Sequence, residues 1–183
     1  YTNSFLNFYP KYSIILNIEE DHLDFFKDLD DIRHSFHKFA GNTADNGVLI
    51  LNGTIKNLDE ITKGLTCKVV SYGLNGNETY YASDISYNEK GCASFQANGA
   101  GHTFHVMLNV PGSHNVQNAM AAIAFALEAG FDDSIIIRGL QSFGGTKRRF
   151  EIKGHLGDIT VVDDYAHHPT EIAATLTAAH NYP

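Results

Sequence analysis

Cysteine is scarce: Cys67 and Cys92 are the only two in 183 residues. They match no metal-ligand spacing and are too few for a disulfide scaffold, so they read as reduced thiols, and a cytoplasmic location is expected. Proline is also sparse, with four residues against 43% hydrophobic and 19% charged ones. That balance excludes a proline-rich disordered chain and describes a globular protein with a core to bury. Cations are outnumbered, 13 Lys and Arg against 21 Asp and Glu, for a formal net charge of -8. A surface made to hold nucleic acid or an anionic membrane nonspecifically is thereby disfavoured, although a local basic pocket is not. No apolar run approaches the roughly 20 residues that span a bilayer, and the N-terminus has no basic segment followed by a hydrophobic one. Several reaction schemes also lack their residues. There is no G-x-S-x-G elbow, no Walker G-x-x-x-x-G-K-[ST], no G-x-G-x-x-G fingerprint, and neither cysteine has the His or glycine-rich setting of a catalytic thiolate. Tyr1 to Tyr9 are rich in aromatic and apolar residues without an initiator Met, so the chain is expected to start inside a larger protein.

What is present alternates strand and helix. Tyr12 to Ile18 is a short apolar run of the kind buried on both faces of a parallel sheet. Leu29, Ile32, Phe36 and Phe39 recur at helical spacing and predict an amphipathic helix over residues 28–40. A strand at Val48 to Leu51, a short helix near Lys56 to Lys63 and a strand at Lys68 to Tyr72 continue an α/β pattern. After Gly76 the pattern becomes period-two, over Tyr80 to Tyr87, Cys92 to Gln96 and Thr103 to Val110. Turn-prone Asn88 to Gly91 and Asn98 to Gly101 separate these runs, predicting an antiparallel meander. Helices follow at Asn115 to Ala129, closed by Gly130, and at Asp132 to Leu140. Arg149 to Lys153 and Ile159 to Asp163 predict a hairpin, and His168-Pro169-Thr170-Glu171 opens a last helix.

Four clusters have the residue types for chemistry. Asn17 to Asp24 places four carboxylates and His22 just beyond an apolar strand, where open α/β sheets bind ligands; it reads either as a divalent-cation site or as a solvated loop. Gly112 to Asn118 enters the alanine-rich helix. Its asparagines suit the N6/N7 edge of adenine and the helix start suits an anion, while Ser113 or Asn115 as a simple N-cap is the alternative. Phe143 to Phe150 sets two glycines beside Lys147, Arg148 and Arg149, either a phosphate or carboxylate clamp or a solvated link. Asp163 to Pro169 joins two acids, Tyr165 and two histidines at a strand end. Polar contacts to a nucleotide or substrate, a metal site and a helix cap all remain open there.

The order and spacing of these motifs resemble the Mur ligase family. Tyr1-x-x-Ser4-Phe5-Leu6, Asn17-Ile18-Glu19-x-Asp21-His22-Leu23-Asp24 and Gly112-x-His114-Asn115-Val116-x-Asn118-Ala119 are similar to its central ATP-binding domain. Phe143-Gly144-Gly145-x-Lys147-Arg148-Arg149-Phe150 and Asp163-Asp164-Tyr165-x-His167-His168-Pro169-Thr170-Glu171-Ile172 are closest to the members acting on UDP-N-acetylmuramate. The Gly-Gly-x-Lys-Arg-Arg-Phe form favours L-alanine over a preformed tripeptide as the group added; a tripeptide-recycling ligase and a noncatalytic nucleotide-binding module are the competing expectations.

The resemblance implies a mostly parallel sheet flanked by helices with an added antiparallel meander, in a partial central domain over residues 1–142. The hinge and the start of a Rossmann-like C-terminal domain are expected over residues 143–183. It also implies that a UDP-binding domain, the P-loop and a second metal-binding glutamate precede Tyr1, so that these 183 residues by themselves should be inactive. The implied chemistry is ATP- and Mg²⁺-dependent amide formation between UDP-N-acetylmuramate and L-alanine through an acyl phosphate, in bacterial cell-wall synthesis. His22 corresponds to a Mg²⁺ ligand; His114, Asn115, Asn118, Asp164 and Tyr165 to ATP-binding positions; Arg148, Arg149, His167 and His168 to catalytic or substrate-facing ones.

Overall fold

The computed structural model describes residues 3–182, so Tyr1 of the first motif lies outside the described residues. Six strands form one sheet in chain order: β1 (Tyr12–Ile15), β2 (Val48–Asn52), β3 (Lys68–Gly73), β4 (Tyr80–Tyr87), β5 (Cys92–Gly99) and β6 (His102–Pro111). β1 to β4 pair in parallel and β4 to β6 pair antiparallel, the expected parallel sheet with its meander. β2 is buried at all five positions because it has a parallel neighbour on each side and helices over both faces. Its residues divide by parity between two cores. Val48 and Ile50 face one, with Tyr72, Phe95 and Val106; Leu49 and Leu51 face the other, with Ile15 and Ile61.

Helix α1 (Leu29–Gly41) covers the second core. Asp28 caps it by accepting the Asp31 N–H at 3.0 Å, with Asp30 and Asp31 in the first turn and Lys38 in the last, both favoured by the helix dipole. Arg33 is buried on the inward side of α1 without being stranded. Its Nε donates to Glu60 Oε2 at 2.8 Å and its Nη2 to the Lys56 and Asn57 carbonyls, fixing α1 to α2 (Leu58–Thr62). Across the sheet, α3 (His114–Glu128) buries Val116, Met120, Ile123 and Ala124 in the first core. Its last residue, Glu128, accepts from Lys68 Nζ at 2.7 and 2.8 Å and from the Tyr80 hydroxyl at 2.7 Å. Helix α4 (Asp133–Ser142) is tied to the start of β6 by His102 Nδ1 at 2.7 Å from Asp133 Oδ1.

A second sheet holds β7 (Glu151–Leu156) and β8 (Ile159–Asp163), antiparallel, followed by α5 (Pro169–His180). His168 is the N-cap of α5 and Pro169 occupies its first turn. Among the described residues no helix is long and apolar enough to cross a membrane.

Two expectations need correction. The first strand stops at Ile15 instead of reaching Ile18, and it is not buried on both faces: Ile14 is 38% and Leu16 48% exposed. Among the described residues β1 pairs with β2 alone, and nothing packs closely over Ile14 or Leu16. Beyond it the Asn52 side chain, not a neighbouring backbone, donates to the Leu16 carbonyl at 3.0 Å. The second correction concerns the start of α3. Ser113 stands at the N-cap but makes no side-chain cap bond, and the Asn115 amide donates backward to the Pro111 carbonyl at 2.7 Å.

Candidate functional site

The carboxyl ends of β1, β2 and β3 open into a cleft of about 1200 Å³. One wall is the loop after β1, with Leu16, Asn17, Glu19, Asp21 and His22; a second is the start of α3; the third is residues 143–175. This is where a parallel sheet exposes strand-end loops and unpaired backbone groups, which suits a polar ligand.

Asn52, 5% exposed, ties two walls to the floor. Its Nδ2 lies 3.0 Å from the Leu16 carbonyl and 3.3 Å from Gln117 Oε1, while its Oδ1 accepts from the Thr54 N–H and hydroxyl. A buried polar residue closing an apolar strand was the available sequence signal for it. On α3, Asn118 Nδ2 is 3.3 Å from Asn115 Oδ1, so both asparagines stand together on the cleft as their spacing in the first turn requires. His114 lies beneath Gly112, whose φ of +102° brings its backbone so close that a Cβ there would sit 2.6 Å from His114 Cε1. His114 Nδ1 is buried without a hydrogen-bond partner among the described residues. Burial pushes the imidazole below its ordinary pKa; Asp164 opposes that shift and Arg149 reinforces it.

Asp164 organises the third wall. Its Oδ2 accepts from the Phe150 N–H at 2.9 Å and the Thr175 hydroxyl at 3.1 Å, and its Oδ1 from the Ala166 N–H at 2.8 Å. Burial alone would raise its pKa, but those donors and the nearby Arg149 charge outweigh burial and hold it below the usual carboxylate value. The carboxylate thus joins the basic turn at 147–150, the 165–167 turn and α5. Arg148 and Phe150 flank Arg149 in the left-handed region, with φ of 59° and 48°. That alternation separates the two arginines. Arg149 lines the cleft and meets Glu171 at 3.3 Å, whereas Arg148 stacks 4.3 Å from the centroid of the Tyr165 ring, beside the cleft. His167 also lines the cleft, its Nδ1 3.2 Å from the Tyr165 carbonyl and 3.8 Å from Glu171. His168 Nε2 lies 3.1 Å from the Glu20 carbonyl, crossing to the first wall.

Of the residues singled out from sequence, the cleft gathers His22, Asn115, Asn118 and His114 on the sheet side. Arg149, Asp164, His167 and His168 stand opposite. His22, at φ 52°, has its backbone N–H 2.7 Å from Asp21 Oδ1. Among the described residues no three His, Cys, Asp or Glu side chains converge as a metal site. One imidazole does not make the oxygen-rich shell that Mg²⁺ takes, so the residues present do not by themselves fit the ion. Sequence reasoning gave no role to Asn52, Gln117 or Thr175, counted Glu19 only among four candidate cation-binding carboxylates and placed Thr170 only at a helix start; all five line the cleft.

A mostly parallel α/β sheet whose strand-end cleft is faced by residues 143–175, with Lys147 and Arg149 on the lining, has the form that suits a polar ligand. Two family models match: Mur ligase middle domain over residues 3–126, and Mur ligase, glutamate ligase domain over residues 148–183. The chain belongs to the Mur ligase family. Over its whole length it is 55% identical to a UDP-N-acetylmuramate–L-alanine ligase of Agathobacter rectalis and 48% identical to one of Clostridium tetani. It spans 40% of the length of each. Among solved structures it is similar to UDP-N-acetylmuramate–alanine ligase MurC from Thermotoga maritima, with a TM-score of 0.81 and 30% identity, covering 98% of this chain and 40% of that one. It is also similar to MurF from Acinetobacter baumannii, with a TM-score of 0.87 and 27% identity, covering 98% of this chain and 39% of that one.

Proposed function

We propose that the protein to which these residues belong joins L-alanine to UDP-N-acetylmuramate at the expense of ATP, in the cytoplasm. The observation that carries this reading is 55% identity, without a break in coverage of this chain, to a ligase of that name. In the reaction a carboxylate oxygen of the muramoyl group attacks the γ-phosphorus of ATP and ADP leaves. The alanine nitrogen then attacks the acyl carbon, the proton passes to solvent or base, and phosphate departs. Such a sequence needs positioning and charge neutralisation more than a protein nucleophile. That agrees with the lack of an activated Ser or Cys in the motifs.

Asn115 and Asn118, side by side on the cleft, are proposed to hold the adenine edge. Arg149 is proposed to meet the phosphoryl oxygens, exchanging its 3.3 Å contact with Glu171 for the ligand. Arg148, stacked on Tyr165, stiffens the turn that presents it. His167 is proposed to face the acceptor. Asp164 supports this wall through the 150 and 166 amides. Mg²⁺ stays an expectation of the family resemblance for the full-length protein, and His22 is proposed only to line the cleft on the phosphate side. We place the division between units at residues 142 and 143, where α4 ends and the glycine pair begins. The test is full-length protein given ATP, Mg²⁺ and UDP-N-acetylmuramate with either L-alanine or the tripeptide L-alanyl-γ-D-glutamyl-diaminopimelate. Mass spectrometry should find the L-alanine adduct; preferential use of the tripeptide would transfer the protein to the recycling reaction.

A further inference from the structure

We propose that Glu19 and Thr170 form a clasp across the cleft, so that Glu19 is a positioning residue for the ligase reaction; the inference rests on the reading above. Thr170 Oγ1 donates to Glu19 Oε2 at 2.7 Å, although the two residues are 151 positions apart in sequence. His168 adds to the same junction, with Nδ1 3.4 Å from Glu19 Oε2 and Nε2 3.1 Å from the Glu20 carbonyl. The carboxylate therefore meets the first turn of α5, where the helix dipole favours negative charge.

The surroundings give this contact its consequence. The loop after β1 runs beyond the end of strand pairing and turns through a left-handed residue at His22. Side-chain tethers hold it at its start and at its middle, where His168 Nε2 on the Glu20 carbonyl stands beside the Glu19 contact. Asn52 fixes its start at Leu16 to the sheet, and Glu19 fixes its middle to the opposite unit. Three residues beyond Glu19 stands His22, and on either side of Thr170 stand His168 and Glu171, all of them on the cleft. The Glu19 clasp consequently sets the separation of the two walls that must converge on the ligand. It forms only when the units are together, so its loss lowers the population of the closed arrangement and leaves the groups within each wall unchanged. A ligand that binds the closed form then pays a lower apparent affinity in proportion, and saturating ligand restores closure.

The experiment uses full-length protein carrying Glu19→Ala, Thr170→Val, both together, and Thr170→Ser. Each of the first two should raise the KM for ATP or UDP-N-acetylmuramate by about threefold to tenfold, with kcat changed by less than about twofold. The double variant should be no worse than the poorer single variant, and Thr170→Ser, which keeps the hydroxyl, should match wild type. KM effects that multiply in the double variant, unchanged KM values, or a fall in kcat at constant KM would each overturn the clasp. Small-angle scattering of the same proteins without substrates reads closure apart from catalysis: Thr170→Val should expand the particle and Thr170→Ser should not. If wild type makes no product, the ligase reading fails, while an identical scattering profile for Thr170→Val and wild type would sink the clasp whatever the activity.

Discussion

Asp164→Asn separates a brace from a ligand contact. In the wild type both carboxylate oxygens are occupied, Oδ2 by the Phe150 N–H and Thr175 hydroxyl and Oδ1 by the Ala166 N–H. An amide can offer one acceptor oxygen only; whichever way it turns, its NH₂ group faces a donor at 2.8 or 2.9 Å. Hydrogen bonds to a charged group contribute about 1.5–3 kcal/mol when shielded, and partial exposure reduces that, so a net loss of about 2–3 kcal/mol is expected. The pH dependence has a definite sign. Asp164 is held below its unfolded value of about 3.9, so its contribution is present in full above that pH and is lost as pH falls through the lower folded value. The wild-type advantage over Asp164→Asn should therefore persist at pH 7 and shrink below about pH 4. Hydrogen exchange provides the local assay, with the Phe150 and Ala166 amides exchanging faster in the variant. Unaltered protection of both amides together with lost activity would refute the brace and assign Asp164 to the ligand.

Three further outcomes follow from the wall at the start of α3. His114 should titrate below its ordinary value of about 6.5 because burial disfavours its charged form. Stability should consequently be greater at pH 7.5 than at pH 5.5, and an imidazole midpoint at or above about 6.5 by NMR would contradict this. Gly112→Ala sets a Cβ 2.6 Å from the His114 ring at φ +102° and should cost about 1–3 kcal/mol in urea unfolding; an unchanged midpoint would show that the ring yields freely. Asn118→Ala in the full-length protein should raise the KM for ATP by roughly tenfold while leaving thermal stability within about 0.5 kcal/mol, whereas a stability loss with normal ATP dependence would make Asn118 a structural residue.

Much of the architecture was legible because it is local. β4 runs from Tyr80 to Tyr87 as its alternation indicates, and the parallel part follows from the apolar run of β2. β1 was overread for a physical reason: an apolar run does not say how far strand pairing extends or which of its residues a helix covers, and here pairing with β2 stops at Ile15 while Ile14 and Leu16 stay exposed. α1 begins one residue later than its pattern because Asp28 serves as cap. The site clusters were legible as clusters, each being contiguous in sequence. Their internal division of labour was not. The positive φ values at Arg148 and Phe150 send neighbouring arginines to different partners, which composition does not encode. Nor do the contacts of Glu19 with Thr170 or Asn52 with Gln117 leave a local signal, since they arise only when distant segments fold together.

The most direct test of the central claim follows the oxygen atoms. UDP-N-acetylmuramate labelled with ¹⁸O in both muramoyl carboxylate oxygens is converted by the full-length protein with ATP and L-alanine, and the inorganic phosphate is analysed by mass spectrometry. Attack of the carboxylate on the γ-phosphorus, followed by displacement of phosphate from the acyl carbon, must transfer one labelled oxygen to phosphate and leave the other in the new amide. Phosphate carrying one ¹⁸O per L-alanine adduct is the predicted result. Unlabelled phosphate accompanying the adduct, or ATP turnover with no adduct, would contradict the account.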